Sequence, residues 1–235
     1  MLLTFNQGKL IKMETIQKLP DLEYSLGGSP YITYRFSSNS TPNLFHIEGQ
    51  DIFIKQMLRE FEIAYYPRIR FFKLTREEST DFFGRFCSGV YINRERAIIS
   101  SWWYNPHEVS HSISRLIGKP PKFISEGFAL YYANKHNFKH DKNIDLKNVS
   151  VDEISVNLIK NLMNDPVFLA QPDVFTYPVA YLFFSFIEKQ HGKETIRELL
   201  SLERGPSAQL ALNSGRLNRY CREFVDYAHS LKHAE

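Results

Sequence analysis

The chain has 235 residues, 43% of them hydrophobic and 14% aromatic, enough to bury the core of one domain. Charged residues are 23% and the formal net charge is only +3, with no long Lys/Arg run; a disordered chain and a nucleic-acid partner are both disfavoured. No apolar stretch of about 18 residues occurs, so no transmembrane segment is expected.

The N-terminal MLLTFNQGKLIKMETIQKLPD has no apolar h-region and no small-residue cleavage site. A cytoplasmic protein is the default expectation, and a secreted one whose signal had been removed would read the same. Cys87 and Cys221 form no CxxC pair, which excludes a disulfide framework but not a single bridge. Two buried thiols are the plainer expectation.

Residues 1–29 read as an N-terminal extension of unclear structure, ending in the breaker Gly27-Gly28-Ser29-Pro30. Residues 30–232 read as one domain, with lobes 30–104 and 105–232. Tyr31 to Phe36 alternates and is rich in β-formers, so a strand is expected there. Ile54, Met57, Leu58, Phe61 and Ala64–Tyr65 recur at helical spacing, which predicts a helix from about Ile47 to Tyr66, stopped by Pro67. Strands are expected at Arg68–Leu74, Val90–Ile92 and Ala97–Ser100, the last two joined by the polar turn Asn93–Arg96.

After Trp103 the pattern becomes helical, over about 106–117, 122–135, 152–163, 177–190, 193–202 and 216–231. Gly118 with Pro120-Pro121, Asp165-Pro166, Gly192 and Gly205-Pro206 separate these stretches. The expected class is α+β: a small mixed N-terminal lobe with a twisted sheet, then a mainly helical lobe.

Asn105-Pro106-His107-Glu108-Val109-Ser110-His111 lies at that junction. Asn favours the N-cap and Pro the first helical position, so the helix should begin where the motif begins. His107 and His111, four apart, project from one helical face and can share a Zn²⁺ at about 2.0–2.1 Å each. Glu108 lies about 100° round the helix from His107, placed to reach a water on the metal without ligating it. Glu126 follows His111 after fourteen intervening residues, in FISEGFALYY. The turn at Gly118–Pro121 allows a second helix to return its carboxylate to the metal, with the small Gly127 and Ala129 permitting close approach. Two His and one carboxylate leave a coordination position open, as catalytic zinc requires. The metzincin pattern fails, because Ser114 and Ile117 stand where Gly and His are needed.

HEVSH followed by FISEGFALYY resembles the gluzincin metallopeptidases, in particular peptidase-MA-like domains. The likeness extends over roughly residues 30–230 and includes YITYRF, EFEIAYYP and YPVAYLFFSFIEKQHG. It implies a zincin-like fold with the zinc helix at the junction of the lobes. It implies a peptide or protein substrate, Zn²⁺ as cofactor, His107, His111 and Glu126 as metal ligands and Glu108 as general base. Tyr177 resembles the tyrosine that stabilises the oxyanion in aminopeptidase N-like enzymes, with Tyr181 and His191 as lesser candidates. An ordinary aromatic at a helix start is the competing reading of Tyr177. The Asp that follows the glutamate ligand by four residues in thermolysin-like enzymes is Leu130 here. In this clan, the strand Ala97–Ser100 would be the edge that pairs with an extended peptide.

Trp102-Trp103-Tyr104 reads either as a pocket wall or, more plainly, as core. His136 and His140, beside Asp141, have the spacing of a second metal pair, but their Lys/Asn-rich surroundings favour solvent exposure. The rival function is a non-catalytic zinc-binding module with a zincin fold that recognises peptides or regulates; it leaves Glu108 without a role.

Overall fold

The computed structural model describes residues 2–6, 9–14, 19–136, 149–203 and 215–231. Its class is α+β, and its contacts group the chain into two compact units, Met1–Leu116 with His136–Asp141, and Ile117–Lys135 with Lys142–Glu235.

The first unit begins with an antiparallel hairpin of β1 (Leu2–Asn6) and β2 (Lys9–Glu14), irregular between Thr4 and Phe5. A separate sheet has five strands: β3 (Tyr24–Leu26), β4 (Ile32–Phe36), β5 (Ile69–Lys73), β6 (Gly89–Ile92) and β7 (Ala97–Ser100). Their order is β3-β4-β5-β7-β6, with β4, β5 and β7 parallel and the two outer strands antiparallel. The sheet therefore starts before residue 30.

Burial alternates along β4, whereas all four residues of β7 are buried. Phe72, Leu74, Ile92, Ala97 and Ile99 make one core, covered by Leu19, Leu22, Phe82 and Phe83. Tyr34 packs on Phe71 at 5.1 Å and on Trp103 at 6.0 Å, and Trp103 also meets Phe36 edge-on, so Trp103 is core. Trp102 is exposed.

Two expectations are corrected here. β7 is not an edge strand: β5 flanks it on one side and β6 on the other. The reason is the tight turn after Ile92, where Glu95 donates to the Ile92 carbonyl and Arg96 to the Asn93 carbonyl, folding β6 back along β7. Among the described residues, the edges of the sheet are β3 and β6.

The helix expected to run to Tyr66 ends earlier; α1 is Leu44–Glu60. Glu62 takes a left-handed φ of 52°, and the Ile63 amide donates to the Leu58 carbonyl at 2.8 Å while Glu62 donates to Arg59. That pairing closes a helix by turning the chain, whatever apolar residues follow.

A short helix, α2 (Arg76–Phe83), was missed. Its signal is legible in retrospect: Thr75 accepts from the Glu78 amide and Glu78 accepts from the Thr75 amide, a capping box, and Gly84 closes the other end at φ 69°.

The second unit is helical. It contains α4 (Lys122–Lys135), a 3-10 turn at Val151–Glu153, α5 (Val156–Leu162), α6 (Asp165–Ala170), α7 (Asp173–Leu200) and α8 (Gly215–Leu231). Helix α3 (Pro106–Ile117) precedes α4 in the chain. The two helices expected over 177–190 and 193–202 are continuous in α7 except at Gly192, whose φ of 76° interrupts the spiral. Asp165-Pro166 separates helices as expected, since α5 ends at Leu162, and it also starts α6, a short helix that was not expected, with Pro in the first turn, where a missing N–H costs nothing.

Phe123, Phe183, Phe184 and Phe224 fill this unit's core, and α4 packs along α7. A Cβ at Gly127 would come within 2.6 Å of the Ala180 carbonyl oxygen and 2.7 Å of Phe184. Gly127 is thus the residue that lets α4 and α7 touch. No helix among the described residues is long and apolar enough to cross a membrane.

Candidate metal centre

Asn105 precedes α3, and its Oδ1 accepts from the Glu108 amide at 3.2 Å, so the helix begins as its cap residue directs. Asn105 is itself held from two elements. Its amide donates to Gln50 Oε1 of α1 at 2.6 Å, and its Nδ2 donates to Ser100 Oγ of β7 at 2.9 Å. Ser100 Oγ in turn donates to the Ser88 carbonyl. All three residues are buried. On the next turns, Ser112 pairs its hydroxyl with that of Tyr66 at 2.6 Å. Burial pushes the Tyr66 phenol above its ordinary value.

With α3 fixed in this way, His107 and His111 stand one turn apart and their Nε2 atoms approach to 3.1 Å, with ring planes at 89°. Two nitrogens on one tetrahedral zinc, each at about 2.0–2.1 Å, lie about 3.3 Å apart. The pair is therefore spaced as a shared ion requires. His107, His111 and Glu126 each offer one ligand atom, and these atoms all lie within 4.8 Å of one another. The donors are two imidazoles and one carboxylate, a set that suits zinc and the later divalent transition metals.

Glu108 is buried and lies beside the first residue of β6: a Cβ built at Gly89 would fall 3.2 Å from Glu108 Oε1. Glu108 is outside the ligand group. Lys122 of α4 reaches Glu126 Oε1 with its Nζ at 3.1 Å. This contact between residues four apart on one helix was not anticipated, although the i,i+4 spacing carries it. It engages one of the two carboxylate oxygens.

Tyr177 lies in the second turn of α7, not at its start, which is Asp173; its ring stacks on Phe168 at 6.1 Å. The Tyr181 hydroxyl accepts from Asn134 Nδ2 at 2.8 Å. His191 sits between Phe186 and Tyr220, with Nε2 2.9 Å from a Glu223 oxygen. Both lesser candidates thus have local packing roles.

His136 meets Phe53 edge-on at 4.9 Å, while His140 and Asp141 lie outside the described residues. Cys87 donates its thiol to the Gly89 carbonyl at 3.3 Å, and Cys221 is buried in α8 with its thiol pushed up to about 12 by burial. Both cysteines are thiols. Compared with known proteins, the chain matches no protein-family model and no curated protein.

Proposed function

We propose that this chain is a zinc-dependent peptidase of the gluzincin type, with a zincin-like fold. The observation that carries the reading is the convergence of His107, His111 and Glu126 ligand atoms within 4.8 Å, with buried Glu108 next in sequence to the first histidine. His107, His111 and Glu126 would hold the ion. A bound Zn²⁺ supplies Lewis acidity, polarising a scissile carbonyl and acidifying a water molecule.

The protein's own groups do the rest. Glu108 takes the proton of the attacking water and delivers it to the departing nitrogen as the amide C–N bond breaks and the new C–O bond forms. Asn105 sets where Glu108 starts, through the cap on its amide. Tyr177 is assigned the donor to the oxygen that gains charge. The substrate class is an extended peptide, and β6 is the strand edge on which its backbone would lie.

The test is a mixed peptide library incubated with zinc-loaded protein, with and without chelator, and read by mass spectrometry. Cleavage that stops with chelator and returns with added zinc is expected. An intact library with zinc stoichiometrically bound overturns the assignment in favour of a peptide-binding module.

A further inference from the structure

We propose that Gly89 is the positioning residue for the Glu108 carboxylate, its missing side chain being the space that the general base occupies. This inference rests on the peptidase reading of Glu108.

Gly89 opens β6 and pairs with Ser100 of β7. A Cβ at this position would lie 2.4 Å from Asn105 Nδ2, 2.9 Å from Glu108 Cγ and 3.2 Å from Glu108 Oε1. Real side chains do not tolerate the first two distances, so the contacts to both Asn105 and Glu108 would have to open. Backbone conformation is not the reason for glycine here, since Gly89 is not among the residues with left-handed φ. Gly28, Gly84, Gly192 and Gly215 would meet nothing within 4 Å. At Gly89 the neighbours are the two side chains that begin the zinc helix.

Asn105 has little freedom to yield. Asn105 is tied to Gln50 and to Ser100, and Ser100 is tied to Ser88, the residue before Gly89. The Gly89 carbonyl is itself held by the Cys87 thiol. The start of β6, the end of β7 and the cap of α3 thus form one hydrogen-bonded knot, with Glu108 lying against Gly89. A methyl group there presses on the Asn105 carboxamide that caps the Glu108 amide and on Glu108 Cγ, so relieving the contact displaces the carboxylate.

The experiment compares Gly89→Ala with wild type for zinc stoichiometry, kcat, KM and crystal structure. The expected result is one zinc per chain, unchanged KM and a kcat lower by about 10²-fold, the usual cost of displacing a reacting group by about 1 Å. On a Glu108→Asp background, where the carboxylate is already withdrawn, the same substitution should cost less than about threefold, because both changes act through one group. Where Gly89→Ala does not fold, Gly89→Ala/Asn105→Ser removes the nearest clash, keeps a capping hydroxyl and leaves the Glu108 contact to be read.

Wild-type kcat in Gly89→Ala overturns the proposal, as does an equal loss on the Glu108→Asp background. If wild type binds zinc and cleaves nothing, the peptidase reading fails. The crystal structure then decides the placement alone: a displaced Glu108 carboxylate upholds it and an unmoved one overturns it.

Discussion

At the scale of single residues, each position at the candidate metal centre has its own chemistry. Glu108 is buried, outside the ligand group and adjacent to His107. Glutamine keeps its shape but accepts no proton, so Glu108→Gln should retain zinc and lose turnover by at least about 10²-fold. Undiminished turnover would remove Glu108 as the base, and loss of zinc would make it a ligand. Tyr177→Phe is the companion test for charge stabilisation, with kcat expected to fall by about 10²–10³-fold at nearly constant KM. An unchanged kcat leaves Tyr177 as packing against Phe168.

The placement of the histidine pair on one helix was the most legible part of the candidate site. The histidine pair and its cap were readable because a helix converts spacing into direction, and α3 starts at the expected Pro106. The place of Glu126 on a second helix was readable because Gly118 and Pro120-Pro121 punctuate the chain before α4. What a sequence does not print is proximity between distant segments. Gly89 lies nineteen positions before Glu108, and nothing in its neighbours signals that its absent side chain faces that carboxylate.

At the scale of elements, the pairing of α4 with α7 gives two tests. Glu188 of α7 accepts hydrogen bonds from Tyr131, from Tyr132 at 3.1 Å and from Lys135 at 2.7 Å, all on α4. Burial alone would raise the Glu188 carboxyl, but the Lys135 and tyrosine donors outweigh it and hold it below its ordinary value near 4.5. A carboxylate depressed in the folded state stabilises the fold above its unfolded value, and that stability is lost as pH falls through the folded value. Glu188→Gln should therefore cost about 1.5–3 kcal/mol at pH 7, as for hydrogen bonds to a charged group, and progressively less below about pH 4.5. Equal denaturation midpoints at pH 7 would contradict it.

Gly127→Ala tests the close approach of the same two helices. Helix propensity alone would stabilise the variant by up to about 1 kcal/mol. The Ala180 carbonyl at 2.6 Å is backbone and cannot swing aside, so a net loss of about 1–3 kcal/mol is expected instead. Helix boundaries were legible where Gly and Pro act locally. They failed where geometry overrode pattern: Glu62 turned α1 off while its apolar repeat continued, and the β6 hairpin enclosed a strand expected at the edge.

At the scale of the whole molecule, the metal should couple to stability. An ion that binds only the folded chain adds about 4 kcal/mol at a thousand times its Kd. For a chain of this length, each kcal/mol moves Tm by about 2–4 °C, so chelation should lower Tm by up to roughly 8–16 °C. Identical melting with and without chelator would mean that zinc is not bound in the folded state. The most direct test of the shared site is anomalous diffraction at the zinc edge from crystals grown with Zn²⁺. One peak is expected at about 2.0–2.2 Å from His107 Nε2, His111 Nε2 and a Glu126 oxygen, with Glu108 outside bonding distance. A peak elsewhere, no peak at these residues, or Glu108 among the ligands would contradict the account.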